Sequence, residues 1–204
     1  MGWAFAMWSS LPPYHPDMEE EAPPALGVVV ERDRGALPFA LLHGEPLVAC
    51  AAWAMGEAGV QLLDLTTPWS AVRESGLPLV WHDSLCPATP PAFVADCVRR
   101  SVEQGVVVAA VLAVTDTVKV LVKGPEGPTV GRTLDRDDLR HMASPLVIPA
   151  GVVAALTDWP SADFPAALTR LRAVHRVELV PAPSAAARVH DAADLARLEA
   201  LTAP

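Results

Sequence analysis

Leu77-Pro78-Leu79-Val80-Trp81, then Pro90 to Gln104, then Val106-Val107-Val108-Ala109-Ala110-Val111-Leu112-Ala113-Val114 form the stretch that decides the fold. The two outer runs are short, apolar and rich in valine, the pattern of strands buried on both faces. The segment between them enters through a proline-rich turn and stops at Gly105, as helices do. Strand, helix and strand in that order predict a parallel crossover. Upstream the order repeats, with Gly27 to Val30 a strand, Pro46 to Glu57 a helix and Val60 to Leu65 a second strand. The fold class is therefore α/β, a mainly parallel Rossmann-like sheet covered by helices.

Downstream, Val118 to Val122 and Pro128 to Leu134 flank Lys123-Gly124-Pro125-Glu126-Gly127. Two β-prone runs around a Gly/Pro turn predict a projecting antiparallel arm over about 118–136. Asp163 to Val174 reads as a helix, Val177 to Val180 as a last strand, and Asp191 to Leu201 as a helix with Asp191 as its N-cap. Residues 1–24 mix Leu11-Pro12-Pro13, Glu19-Glu20-Glu21 and Pro23-Pro24, which sustain neither helix nor ladder. They are expected to form a tail carrying Trp3, Phe5 and Trp8, ahead of one domain over 25–204.

Apolar residues make up 51% of the 204, and the mean hydropathy is +0.30, so a sizeable core can be buried. The longest apolar run ends at Asp116, too soon for a helix that spans a bilayer. Met1 to Ser10 lacks the basic start and small-residue cleavage site of a secretory signal, so a cytoplasmic location is expected. A net charge of −9 without a basic stripe argues against nucleic acid as partner. Cys50, Cys86 and Cys97 show no CxxC spacing, which points to neither a disulfide framework nor structural zinc; Cys50 and Cys97 read as buried thiols.

Val114-Thr115-Asp116-Thr117-Val118-Lys119, Thr133-Leu134-Asp135-Arg136-Asp137-Asp138-Leu139 and Ser144-Pro145-Leu146-Val147-Ile148-Pro149 follow one another in a familiar order. With Trp81-His82-Asp83-Ser84-Leu85-Cys86-Pro87 before them and Leu179-Val180-Pro181, Arg188-Val189 and Asp194-Leu195 after, the chain from about Leu26 onward resembles one family. It is similar to the 2-C-methyl-D-erythritol 4-phosphate cytidylyltransferases of non-mevalonate isoprenoid synthesis. The resemblance implies a nucleotide-diphospho-sugar transferase-like sheet and a homodimer joined through the β-arm. It also implies a phosphorylated small-molecule ligand near Thr117, Arg136 and Ser144, the positions matching the family's sugar-phosphate contacts. Arg188 stands where the family has lysine and keeps a cation there.

The chemistry of that family asks for parts that are missing here. A triphosphate is cradled by backbone N–H groups of a Gly-rich turn after the first strand, but Val28-Val29-Val30 runs into Glu31-Arg32-Asp33-Arg34-Gly35 with one glycine. The four charges of that turn read as a solvated loop of ion pairs. Phe39 occupies the place of the family's phosphate-binding lysine, and the cytosine-reading stretch shrinks to the link around Trp69 to Ser75. Asp83 is the one candidate metal ligand, for magnesium if the chain is active, although the family's arginine three residues on is Cys86. For His82 and Asp83 a strand-end cap and turn is the plainer reading.

The sequence thus predicts a relative whose CTP site is degraded, non-catalytic or impaired, and which binds a sugar phosphate through Thr117, Arg136, Ser144 and Arg188. Two other readings stand beside it. One is a divergent active nucleotidyltransferase using Arg32, Arg34 and Asp83; the other is an interaction protein acting through the aromatic and proline-rich tail.

Overall fold

The computed structural model describes residues 22–125 and 127–203. Trp3, Phe5, Trp8 and nearly all of the predicted tail lie outside the described residues. Six strands form the main sheet. In chain order they are β1 (Ala25–Val30), β4 (Val60–Leu62), β5 (Leu79–Asp83), β6 (Val107–Ala113), β9 (Arg140–Ile148) and β10 (Val177–Pro181), and across the sheet they run β10-β6-β9-β5-β1-β4. All neighbours are parallel except those of β9, which lies antiparallel between β5 and β6. The short pair β2 (Leu41–Leu42) and β3 (Glu45–Pro46) and the arm β7 (Lys119–Gly124) and β8 (Gly127–Thr133) are separate hairpins.

Period-two alternation explains why the strands read as unbroken apolar runs. Val80, Val108 and Ala110 face one side with Met55, Phe93, Val94 and Cys97, while Leu79, Trp81, Val107 and Ala109 face the other with Val152, Phe164 and Leu171. The first face is covered by α1 (Leu47–Glu57) and α3 (Pro91–Gln104), and the second by α2 (Trp69–Glu74), α4 (Ala150–Ala155) and α5 (Phe164–Arg172). The signals read for α3 hold, with a proline in its first turn and Gly105 closing it at φ 63. The last helix, α6 (Ala192–Leu201), begins where Asp191 accepts hydrogen bonds from the N–H groups of Ala193 and Asp194. All three cysteines are free and buried.

α2, α4 and the β2–β3 hairpin were not foreseen from the sequence, and two strands of the main sheet also depart from its reading. Val60 to Leu65 was expected as one strand, but it ends at Leu62 before a turn. β9 was not foreseen as a strand at all, since its second half contains Ser144 and Pro145 and its first half is polar. A register shift accommodates them: Ala109 pairs with Leu146 and Val111 with Met142, so the bulged stretch of β9 holds Ala143, Ser144 and Pro145. A proline without an N–H is tolerated where the ladder is interrupted.

Three indoles fasten the segment after α4. Trp69 Nε1 donates to Leu156 O at 3.1 Å and Trp81 Nε1 to Ser161 O at 3.0 Å, and Trp159 packs against both rings with centroids 4.9 and 5.9 Å away. No helix among the described residues is long and apolar enough to cross a membrane.

Leu146 sits at the centre of the sheet, fully buried between Trp81 and Ala109. Leu146→Ala is expected to cost about 2–5 kcal/mol in urea unfolding. A loss under about 1 kcal/mol would show that β9 is not a core strand.

Candidate functional site

The carboxyl ends of the parallel strands are where open α/β sheets place ligands, and here that edge is built around Asp83, the last residue of β5. Its Oδ1 accepts from Arg34 Nε at 3.0 Å and from Leu85 N at 3.1 Å. Its Oδ2 accepts from Arg34 Nη2 at 3.1 Å and from Arg188 Nε at 3.0 Å. Burial alone would raise this carboxyl's pKa, but the hydrogen bonds from Arg34, Arg188 and the Leu85 N–H and the charge of Arg188 prevail. The group is held below its ordinary 3.8.

Each partner is delivered by a different segment. Arg34 comes from the turn after β1, where it stands between Asp33 and Gly35, both at positive φ. This backbone, which aspartate and glycine tolerate best, accompanies a side chain turned inward and only 8% exposed. There it also donates to Ala162 O at 2.7 Å, and its guanidinium lies 6.0 Å from the Phe164 ring centroid. Arg188 follows a turn at Ser184–Ala186 in which Ala185 and Ala186 are buried, and the N–H of Val189 anchors its backbone to Leu85 O at 2.8 Å. A satellite core of Leu42, Leu47, Leu85, Ala185, Val189 and Leu198 lies beneath.

The expectation that Arg34 belongs to a solvated charged loop is therefore corrected. Arg32 and Glu31 are exposed as read, whereas Arg34 crosses to a buried acid 49 residues away. Above the triad opens a cleft of about 1150 Å³ whose walls include Arg34, Asp83, Arg140, Phe164, Arg188 and Arg197.

Of the predicted ligand residues, Asp83 and Arg188 meet in this cleft. Ser144 does not line it; fully buried in the bulge of β9, it accepts the Asp83 N–H at 2.7 Å and so continues the hydrogen bonding of β5 past its last paired residue. Thr117 and Arg136 stand exposed at the root of the arm, where Arg136 Nη1 donates to Thr115 O at 3.1 Å. Phe39, in the place of the family's lysine, is exposed. Cys86 is buried, and burial pushes its thiol up, away from reactivity.

Asp83 does not fit the role of magnesium ligand in this fold. Both of its oxygens are engaged by guanidinium groups, and no group of three His, Cys, Asp or Glu among the described residues is placed to hold an ion. A hard cation needs several oxygen ligands and is repelled by two adjacent positive charges. The turn expected at Asp83 is present, through its bond from the Leu85 N–H. His82 is not a cap: it lies inside β5 with its ring fully buried, Nε2 3.2 Å from Cys86 O, and no partner for Nδ1 among the described residues.

No protein-family model matches the chain. It is 34% identical over 138 residues to the 2-C-methyl-D-erythritol 4-phosphate cytidylyltransferase of Corynebacterium glutamicum, a match covering 64% of this chain and about half, 47%, of that relative's length. Among solved structures, the enzyme of that name from Thermus thermophilus superposes with a TM-score of 0.63 at 18% identity, covering 90% of this chain and 99% of that one. The 4-diphosphocytidyl-2C-methyl-D-erythritol synthase of Anaerococcus prevotii gives 0.61 at 9% identity, covering 89% and 98%. At those identities the superpositions speak for the fold.

Burial lowers the pKa of His82 from 6.5 to about 4, against the pull of the Asp83 charge and of the Cys86 carbonyl. The folded state thus favours the neutral ring. The stability this contributes is complete above pH 6.5 and is lost as pH falls from there towards about 4, on the order of 3 kcal/mol in all. The carboxyl of Asp83, held below 3.8 against its burial chiefly by the hydrogen bonds from Arg34 and Arg188, loses its own contribution further into acid. Urea midpoints followed down that window should fall in the native chain, with a clearly shallower slope in His82→Gln; equal slopes would mean that another group controls the acid limb.

Proposed function

We propose that this chain, similar over 138 residues to a 2-C-methyl-D-erythritol 4-phosphate cytidylyltransferase and sharing the fold of others, is a cytoplasmic member of that family, tied to isoprenoid precursor synthesis, whose CTP-handling half is lost and whose sugar-phosphate half is kept. The observation that carries this reading is Arg34. Cytidylyl transfer needs the turn after β1 open, with backbone N–H groups presented to a triphosphate. Here that turn holds one glycine, and its arginine is folded down onto Asp83 and Ala162 O. No lysine stands at Phe39 to meet a transferring phosphate, and the acid that would face a cation is already neutralised. Arg188 remains at the wall of the cleft as the cation for a phosphorylated ligand, with Thr117 and Arg136 reaching such a ligand from the arm of a second copy.

Incubation with CTP, magnesium and methylerythritol phosphate is expected to release pyrophosphate at no more than the background rate, while calorimetry detects saturable binding of methylerythritol phosphate alone. Turnover with CTP or any other nucleoside triphosphate would sink this reading in favour of a divergent active transferase built on Arg32, Arg34 and Asp83.

The same reading includes a homodimer formed through the arm. Leu121, Val122 and Val130 stand exposed on β7 and β8, apolar surface that a hairpin standing alone has no use for. Light scattering coupled to gel filtration should give a dimer for the native chain and a monomer for Leu121→Glu combined with Val130→Glu. A native monomer, or a dimer indifferent to both changes, would remove the arm from the interface.

A further inference from the structure

Arg34 and Arg188 both bind Asp83, yet they are left in different states. The hydrogen bonds of Arg34 are nearly all spent on the protein: Nε and Nη2 on Asp83, Nη2 again on Ala162 O, and Nη1 on Arg32 O at 3.2 Å. Arg188 spends only Nε, and among the described residues neither Nη1 nor Nη2 has a hydrogen-bond partner. Its side chain is 27% exposed and lines the cleft, so the planar end of the guanidinium is presented there with its stem fixed. Two arginines against one aspartate leave the triad with one surplus positive charge, which the exposed end of Arg188 carries into the cleft. Four other acids line the cleft, and none pairs with these arginines: Asp194 is engaged by His190 and Arg197, Asp163 caps α5, and Asp33 and Asp116 are exposed with no ion pair to Arg34 or Arg188 among the described residues.

We propose that Arg34, Asp83 and Arg188 form a metal-independent receptor for the phosphate group of a small molecule, in which Arg34 takes the place a divalent cation would hold beside Asp83. Arg188 binds the anion through its free fork, the geometry that suits phosphate oxygens. Asp83 acts as a positioning residue, orienting Arg188 through Nε. Arg34 keeps Asp83 ionised and excludes a cation from it. This rests on the reading of Arg188 as a phosphate contact, and it adds that no metal is required and names the residue that makes it so.

The test is calorimetric titration of the full chain with inorganic phosphate, in EDTA and in magnesium at equal ionic strength. Binding of equal strength in both buffers is expected, weakened about ten-fold or more by Arg188→Ala, as for loss of a charge-assisted hydrogen-bonding group. In Arg34→Gln the carboxylate is freed on one side, and binding should become stronger in magnesium than in EDTA. Binding that needs magnesium in the native chain overturns the proposal, as does absence of binding or indifference to Arg188→Ala. An Arg34→Gln protein that folds and stays indifferent to magnesium removes Arg34 from the stand-in role. If that variant does not fold, the native chain in the two buffers and Arg188→Ala still decide. Nucleotide turnover would defeat the proposed loss of catalysis while leaving this result standing, so the two failures are distinguishable.

Discussion

A carboxylate buried at the end of a strand must be met by opposite charge or be protonated, and around Asp83 that requirement organises much of the molecule. Four segments distant in sequence converge on it: the turn after β1, β5 itself, the bulge of β9 and the turn before α6. The arrangement is not simply a gain in stability. Desolvating three charged groups costs several kcal/mol per ion, and a well-packed apolar cluster of similar volume often does as well. What the triad supplies is a fixed direction for Arg188 and an internal anchor for the turn that carries Arg34.

The same constraint bears on the rim of the sheet and leaves its core aside. The sheet and its crossovers follow the fold of the solved cytidylyltransferases, and they depend on buried valines, alanines and Trp81 in the core rather than on residues of the cleft. The turn after β1 can change without disturbing them because it lies at the rim, where loop substitutions leave the core contacts intact. In the turn Glu31-Arg32-Asp33-Arg34-Gly35 an exposed rim supplies an internal counterion, since Arg34 reaches inward to Asp83 while Glu31 and Arg32 stay exposed.

Legibility in the sequence followed the range of the interaction that decides each feature. α3 and α6 were readable because proline, glycine and aspartate signals lie within one turn of their ends. The buried strands were readable from runs such as Val106 to Val114. β9 was not, because its bulge depends on how β6 pairs beyond Ala109, and Pro145 contradicts a ladder when seen alone. Asp83 and Arg188 could be singled out through family resemblance, but their contact across 105 residues could not. Arg34 was misread for the same reason: among acidic neighbours its nearest partners in sequence are Asp33 and Glu31, and nothing local announces a buried acid 49 residues away.

The indole cluster gives this architecture an optical property. Trp69, Trp81 and Trp159 are close enough to exchange excitation energy, and the segment they clamp leads directly to Ala162, the carbonyl that Arg34 grips. The near-ultraviolet dichroism of the unlabelled chain therefore includes a signal from indoles packed one residue away from the carbonyl that holds Arg34.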